Sequence, residues 1–191
     1  LFFVTFLVYP AIFGITAIAP EILELVPRYK QWEPALPLLY LFAVNAVFSA
    51  ISTTFTNALF ATGRPKIVLK FMVFWTTMTW ALTYPLVKEF GYIGVGIASA
   101  LVASTSLGTI YFVKKQLPIK VGSNVLGPLL VSIVMFASLK YFFQITSTSF
   151  PALILAIIMG AVIYLVSSLA IFRKSLIDDA LVIINSIINK K

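Results

Sequence analysis

The thirty residues from Pro34 to Gly63 carry no charge, and this run constrains the fold more than any other feature of the chain. A helix over it is long enough to cross a hydrocarbon core of about 30 Å, since each residue advances about 1.5 Å. Most of its circumference is Leu, Phe, Val, Ile and Ala. One edge is different: Asn45, Ser49, Ser52, Thr53 and Thr56 fall within an arc of roughly a quarter turn. An edge of hydroxyls and an amide has no partner in lipid, so it must face protein or water. It is either a helix–helix seam glued by those side chains or one wall of a polar cavity.

Charged residues divide the rest of the chain into comparable pieces, and six spans are expected. They run over 1–25 (with Pro10 and Pro20 bending the helix), 34–63, 67–87, 91–113, 121–143 and 150–172. The third places Thr76, Thr79 and Thr83 on one face, a second set of candidate cavity-lining hydroxyls. In the fourth, Gly96, Ala100, Ser104 and Gly108 recur every fourth residue, a ridge of small side chains that lets another backbone approach closely. After Arg173-Lys174 the pattern changes. Ser175 to Asp178 reads as a capping box, and Leu176, Ile177, Ala180, Leu181, Ile184, Ile187 and Ile188 share a face opposite Asp178, Asp179, Asn185, Ser186 and Asn189. The expected fold is therefore all-α: a polytopic transmembrane bundle of six spanning helices plus a C-terminal amphipathic interfacial helix.

Composition excludes several function classes. Hydrophobic residues make up 61% of the chain and charged ones 10%, against about a quarter charged in a soluble domain. Cysteine and histidine are both absent, so no disulfide, thiolate metal site or imidazole proton shuttle can be built, and neither a metal nor a cofactor is expected. The six acidic residues lie near span ends, leaving no paired carboxylates or nucleophile–base set for catalysis, and the chain is not expected to be an enzyme. Its net charge of +8 comes from short clusters between apolar runs, which fix orientation and do not suggest nucleic acid. Tyr and Trp at span ends serve as lipid anchors or as sugar-stacking platforms.

Loop charge sets the expected topology. Arg64, Lys66 and Lys70 follow the second span, Lys114, Lys115 and Lys120 the fourth, and Arg173 and Lys174 the sixth. The positive-inside rule puts these in the cytoplasm, and with them both ends of the chain. The same basic residues can contact lipid headgroups or guide a phosphate-bearing substrate. The expected location is the cytoplasmic (inner or plasma) membrane. The opening Leu1-Phe2-Phe3-Val4 has neither Met nor a basic n-region, which suggests the C-terminal part of a longer protein.

The order of several short segments resembles a known family. They are Ala19-Pro20-Glu21-Ile22-Leu23-Glu24-Leu25; Tyr29 followed by Ala35-Leu36-Pro37-Leu38-Leu39; Asn57-Ala58-Leu59-Phe60-Ala61-Thr62-Gly63-Arg64; and Gly91-Tyr92-Ile93-Gly94-Val95-Gly96-Ile97-Ala98. Together they look like the C-terminal part of the O-antigen-type polysaccharide transporters, oligosaccharide flippases of the multidrug/oligosaccharidyl-lipid/polysaccharide exporter superfamily. The likeness spans residues 1–172 and rests on order and spacing more than on any one motif. One departure is Pro27-Arg28 before Tyr29, where the family often has Gly before the aromatic residue. The resemblance implies a two-lobed, fourteen-helix transporter. Residues 1–115 would supply four helices of its second lobe, 116–172 two additional helices, and 173–191 the cytoplasmic amphipathic helix and tail. It also implies a polyprenyl-diphosphate-linked oligosaccharide as substrate, moved by alternating access, with the N-terminal part of the same transporter and membrane lipids as partners. A drug or cation antiporter of the same superfamily, a membrane-embedded glycosyl transferase or polymerase component, and a six-helix assembly scaffold are the alternatives.

Overall fold

The computed structural model describes residues 1–114 and 121–188; for residues 109, 111, 112, 114, 121, 123 and 173–188 it describes the backbone alone. Among the described residues every regular element is helical. α1 (Phe2–Leu25) passes through a 3₁₀ stretch (Pro27–Ala35) into α2 (Leu36–Ala61). Then come α3 (Pro65–Phe90), α4 (Ile93–Ser104), α5 (Ser106–Lys114), α6 (Val121–Ile145) and α7 (Phe150–Ile188). Five helices among the described residues are long and apolar enough to cross a membrane: α1, α2 with its lead-in, α3, α6 and the Phe150–Phe172 part of α7. The chain has the build of a multi-pass membrane protein.

The expected fourth span differs, because it is two shorter helices joined at Thr105. Ser104-Thr105-Ser106 lies at the interruption. The Ser104 hydroxyl donates to Leu101 O at 2.7 Å and the Thr105 hydroxyl to Val102 O at 2.6 Å. Such short-range bonds compete with the helical ladder. The backbone tightens accordingly, with Thr105 N–H bonded to Val102 O and Gly108 N–H to Thr105 O, both three residues back. In α7 a non-helical residue, Phe172 (φ −113°, ψ 15°), separates the apolar span from the segment expected to be amphipathic. The side chains of that segment, and Lys115 with the rest of the basic connection, lie outside the described residues.

Two cores organise the packing. Ala17 of α1, Val131, Met135 and Leu139 of α6, and Ala156 and Tyr164 of α7 form one, flanked by Phe6, Phe13 and Phe136. Ile51, Phe55 and Leu59 of α2, Val68 of α3 and Val113 of α5 form the other. α1 touches both groups, packing on α6 and α7 and on α2, while α4 packs on α2 and α3. Because lipid is as apolar as Leu, these contacts hold the bundle by close packing and hydrogen bonds more than by escape from solvent.

Proline creates a specific need within the first group. A helical Pro has no N–H for the carbonyl four residues earlier. Pro10 thus leaves Phe6 O without its ladder partner, and the Tyr164 hydroxyl of α7 donates to that oxygen at 2.7 Å. Pro128 does the same to Asn124 O in α6, and the shortest contact of the Thr5 hydroxyl, 2.7 Å, is to that oxygen. Both freed carbonyls are met by a neighbouring helix, as a low-dielectric setting requires.

Candidate functional site

The α2 stripe divides along its length. Asn45 Nδ2 donates to Ser99 O at 3.0 Å and to Ser99 Oγ at 2.6 Å, and the Ser49 hydroxyl donates to Asn45 Oδ1 at 3.0 Å. This half is a seam between α2 and α4. Further along, Ser52 bonds Ser49 O and Thr56 bonds Thr53 O, so their hydroxyls turn back onto their own helix. Thr53 is exposed. The geometry follows from helical pitch: a step of four residues overshoots a full turn by about 40°, so the row 45–49–53 winds off the seam onto the open side.

On α3, Thr76 and Thr79 are exposed, and Thr79 donates to Trp75 O at 2.7 Å. Thr83 is half-buried and lines a surface groove of about 550 Å³ with Trp80, Tyr84, Val87 and Lys88. Trp80 is 76% exposed and Tyr84 78%, too far out to be core. The structure therefore brings Thr83 together with aromatic rings and not with the α2 stripe. The core contact between α2 and α3 is apolar, through Phe55, Leu59 and Val68.

The small-residue ridge is used at one end. A Cβ on Gly96 would lie 2.6 Å from Leu38 Cδ1 and 3.0 Å from Leu41 Cβ, so α2 rests directly on the α4 backbone there. Ala100 is half-buried, Ser104 bonds its own Leu101 O, and Gly108, beyond the break at Thr105, has open space beside it. A tighter approach lies at Gly94, where a Cβ would run into the Leu86 carbonyl of α3. Gly91-x-x-Gly94-x-Gly96 contained the signal: its glycines serve a turn (Gly91, φ 59°), the α3 contact and the α2 contact in succession.

The basic residues Arg64, Lys66 and Lys70 are exposed around the Gly63 turn (φ 72°) and the start of α3. Lys70 borders a groove of about 510 Å³ with Phe71, Phe74, Trp75, Thr105 and Gly108. Trp75 Nε1 donates to Thr105 Oγ1 at 3.2 Å across this groove, a contact the sequence reading missed although Ser-Thr-Ser marked the place. The side chain of Lys114 and all of Lys115 lie outside the described residues. At the opposite end of the bundle, Glu21 faces Lys140 at 3.8 Å, and the Thr148 hydroxyl lies 3.2 Å from Glu21 Oε2 and 3.0 Å from Glu24 Oε2. The Tyr92 hydroxyl donates to Pro34 O at 3.0 Å, tying the α3–α4 turn to the stretch before α2.

Among the described residues no three His, Cys, Asp or Glu side chains gather as a metal site. The arrangement suits solvating uncharged hydroxyl-rich groups and stacking against them, through threonines and flanking aromatic rings. No family model, no curated protein and no solved structure matches the chain.

Proposed function

We propose that the chain is the C-terminal part of a membrane flippase. It translocates a polyprenyl-diphosphate-linked oligosaccharide across the cytoplasmic membrane by alternating access, for polysaccharide biosynthesis in the cell envelope. One observation carries the reading: α2 and α3 leave hydroxyls exposed at membrane depth. Thr76 lies about 16 Å along α3 from Pro65, near the middle of a core of about 30 Å, and Thr53 is likewise exposed within α2. Polar groups at that depth need water or protein. Thr53, Thr56, Thr76 and Thr79 would line one wall of a hydrated path for the sugar, with Thr83, Trp80 and Tyr84 beside it. The opposite wall, and the groups that hold the diphosphate, would come from the N-terminal part of the transporter.

In this reading the turn at Arg64 and Lys66 and both ends of the chain are cytoplasmic, following the charge distribution. α4 and α5 together make the remaining crossing, and the helix beyond Phe172 lies along the membrane surface. The seam at Asn45, Ser49 and Ser99 holds α2 and α4 as one rigid body, as rocking of helix bundles about a substrate path requires.

Cysteine scanning tests the reading; this chain has no cysteine of its own, and any in the N-terminal part are replaced by serine. In native membranes, T53C and T76C are expected to react with a water-soluble, membrane-impermeant thiol reagent, while N45C at the seam and F55C in the core stay protected. Lipid-linked oligosaccharide is expected to slow labelling at the reactive pair. Protection at all four positions would sink the proposal.

A further inference from the structure

The groove at the break between α4 and α5 is not required by the transport reading, and it has a distinct chemistry. Its walls are α3 on one side and the Thr105–Gly108 turn on the other, and it encloses about 510 Å³. Phe71 and Trp75 stack with ring centroids 5.7 Å apart, forming a flat aromatic wall. Phe74, half exposed, extends it outward. Gly108 has nothing within 4 Å of where a Cβ would sit, so that side stays open. Among the described residues the polar groups deep in the groove are paired with each other or with backbone, because Trp75 N–H donates to Thr105 Oγ1 and the Thr105 hydroxyl to Val102 O. The interior is therefore apolar in effect.

The mouth is positive. Lys70 borders the groove, and Lys66, one helical turn earlier, is exposed on the same face of α3. Depth along the helix matters here. Lys70 lies about 8 Å and Trp75 about 15 Å from Pro65, so a cation sits above an aromatic slot that runs down into the hydrocarbon. An anionic head on an apolar tail, oriented along the membrane normal, complements both parts at once.

We infer that this groove binds an anionic glycerophospholipid of the leaflet on the Lys66 and Lys70 side. The phosphate is held by the Lys70 ammonium with help from Lys66, and one acyl chain lies along Phe71, Phe74 and Trp75 against Gly108. A neutral zwitterionic lipid fills the same slot less well, because its own cation offsets the attraction to lysine. Nothing in this inference depends on what the transporter carries.

The test is quenching of Trp75 fluorescence by brominated acyl chains in the full protein reconstituted in bilayers, with W32F and W80F removing the other two tryptophans of this chain and any tryptophan of the N-terminal part changed to phenylalanine as well. Brominated phosphatidylglycerol in a phosphatidylcholine bilayer is expected to quench Trp75 at roughly five-fold lower mole fraction than brominated phosphatidylcholine, a preference equivalent to about 1 kcal/mol. K70Q should abolish the preference while leaving quenching by phosphatidylcholine intact, and K70R should keep it. G108L, which enters open space, should reduce quenching by both lipids without unfolding the protein. Equal quenching by the two lipids, or a preference that survives K70Q, overturns the inference. So does absence of quenching by either lipid, which would mean that protein fills the groove.

Discussion

Where α1 meets α6 and α7, the contact is made by large side chains. Phe6 sits against Tyr164 with ring centroids 5.2 Å apart and Phe13 against Phe136 at 6.1 Å, while buried Val131, Met135 and Leu139 fill the space around Ala17. Where α4 meets α2 and α3, side chains are removed instead. Gly94 lets the α3 backbone come against that of α4, Gly96 lets Leu38 and Leu41 of α2 rest on the α4 backbone, and the Asn45–Ser99 bonds add polar glue. The first solution suits helices that bend, since flexible large side chains fill the wedge a proline opens. The second fixes the spacing between its helices, because backbone cannot rotate aside as a side chain can. The exposed threonines belong to the second region, so the polar candidate site is mounted on its most closely apposed backbones.

The sharpest way to break the comparison is G94L. At Gly94 the obstacle is the Leu86 carbonyl and the neighbouring backbone, which cannot rotate aside as a side chain could. The α3–α4 hairpin is expected to lose about 3 kcal/mol or fail to form. Folded yield and thermal unfolding in detergent measure it, with G108L as the harmless counterpart because its Cβ meets open space. Equal tolerance of the two substitutions would remove the distinction between the regions.

A smaller effect sharpens the split along α2. N45L deletes both bonds to Ser99 and the acceptor of the Ser49 hydroxyl, and a loss of about 1–2 kcal/mol is expected from interhelical hydrogen bonds of this kind. T53V, on the exposed continuation of the same row, is expected to change stability by less than about 0.5 kcal/mol. Under the proposed function its effect appears in transport assays instead. If T53V destabilises as much as N45L, the row is a seam throughout and the cavity wall must be sought elsewhere.

Much of this was legible in the sequence, and the gaps have physical reasons. Charge spacing located the helix boundaries because a charge at the centre of a span is costly and rare. That the Asn45–Thr56 row could be a seam was legible, but not where the seam ends and the row becomes exposed, since that depends on where α4 crosses. Periodicity placed Gly108 on a ridge with Gly96, and the break at Thr105 takes it off. The break itself was marked by Ser104-Thr105, whose hydroxyls act on the backbone and leave the hydropathy pattern untouched. The prolines announced freed carbonyls, yet Tyr164 and Thr5 lie 158 and 119 residues from the oxygens they satisfy, a pairing no local pattern encodes.

That pairing offers the next test, a double-mutant cycle. Y164F is expected to cost about 1 kcal/mol, because it leaves the part-buried Phe6 O with no donor. In a P10A background residue 10 regains its N–H and can bond Phe6 O, so the same Y164F change should cost close to nothing. An unchanged cost in the two backgrounds would mean that the Tyr164 hydroxyl contributes through its Ser132 and Ser168 neighbours and not through Phe6 O.

The smallest expected effect concerns the pair that closes the α1–α6 contact at its polar end. Glu21 and Lys140 are 3.8 Å apart, at the outer edge of an ion pair, and Lys140 keeps 32% of its side chain exposed. At that separation and hydration the attraction is screened and offset by the entropy of holding a long side chain still. The Thr148 hydroxyl already lies within hydrogen-bond distance of Glu21, so removing the lysine does not leave that carboxylate bare. K140M is therefore expected to shift stability by less than about 0.5 kcal/mol, a difference that vanishes at high salt. A loss above about 1 kcal/mol that persists in salt would show that charge, and not the interlocked rings deeper in the bundle, holds α6 to α1.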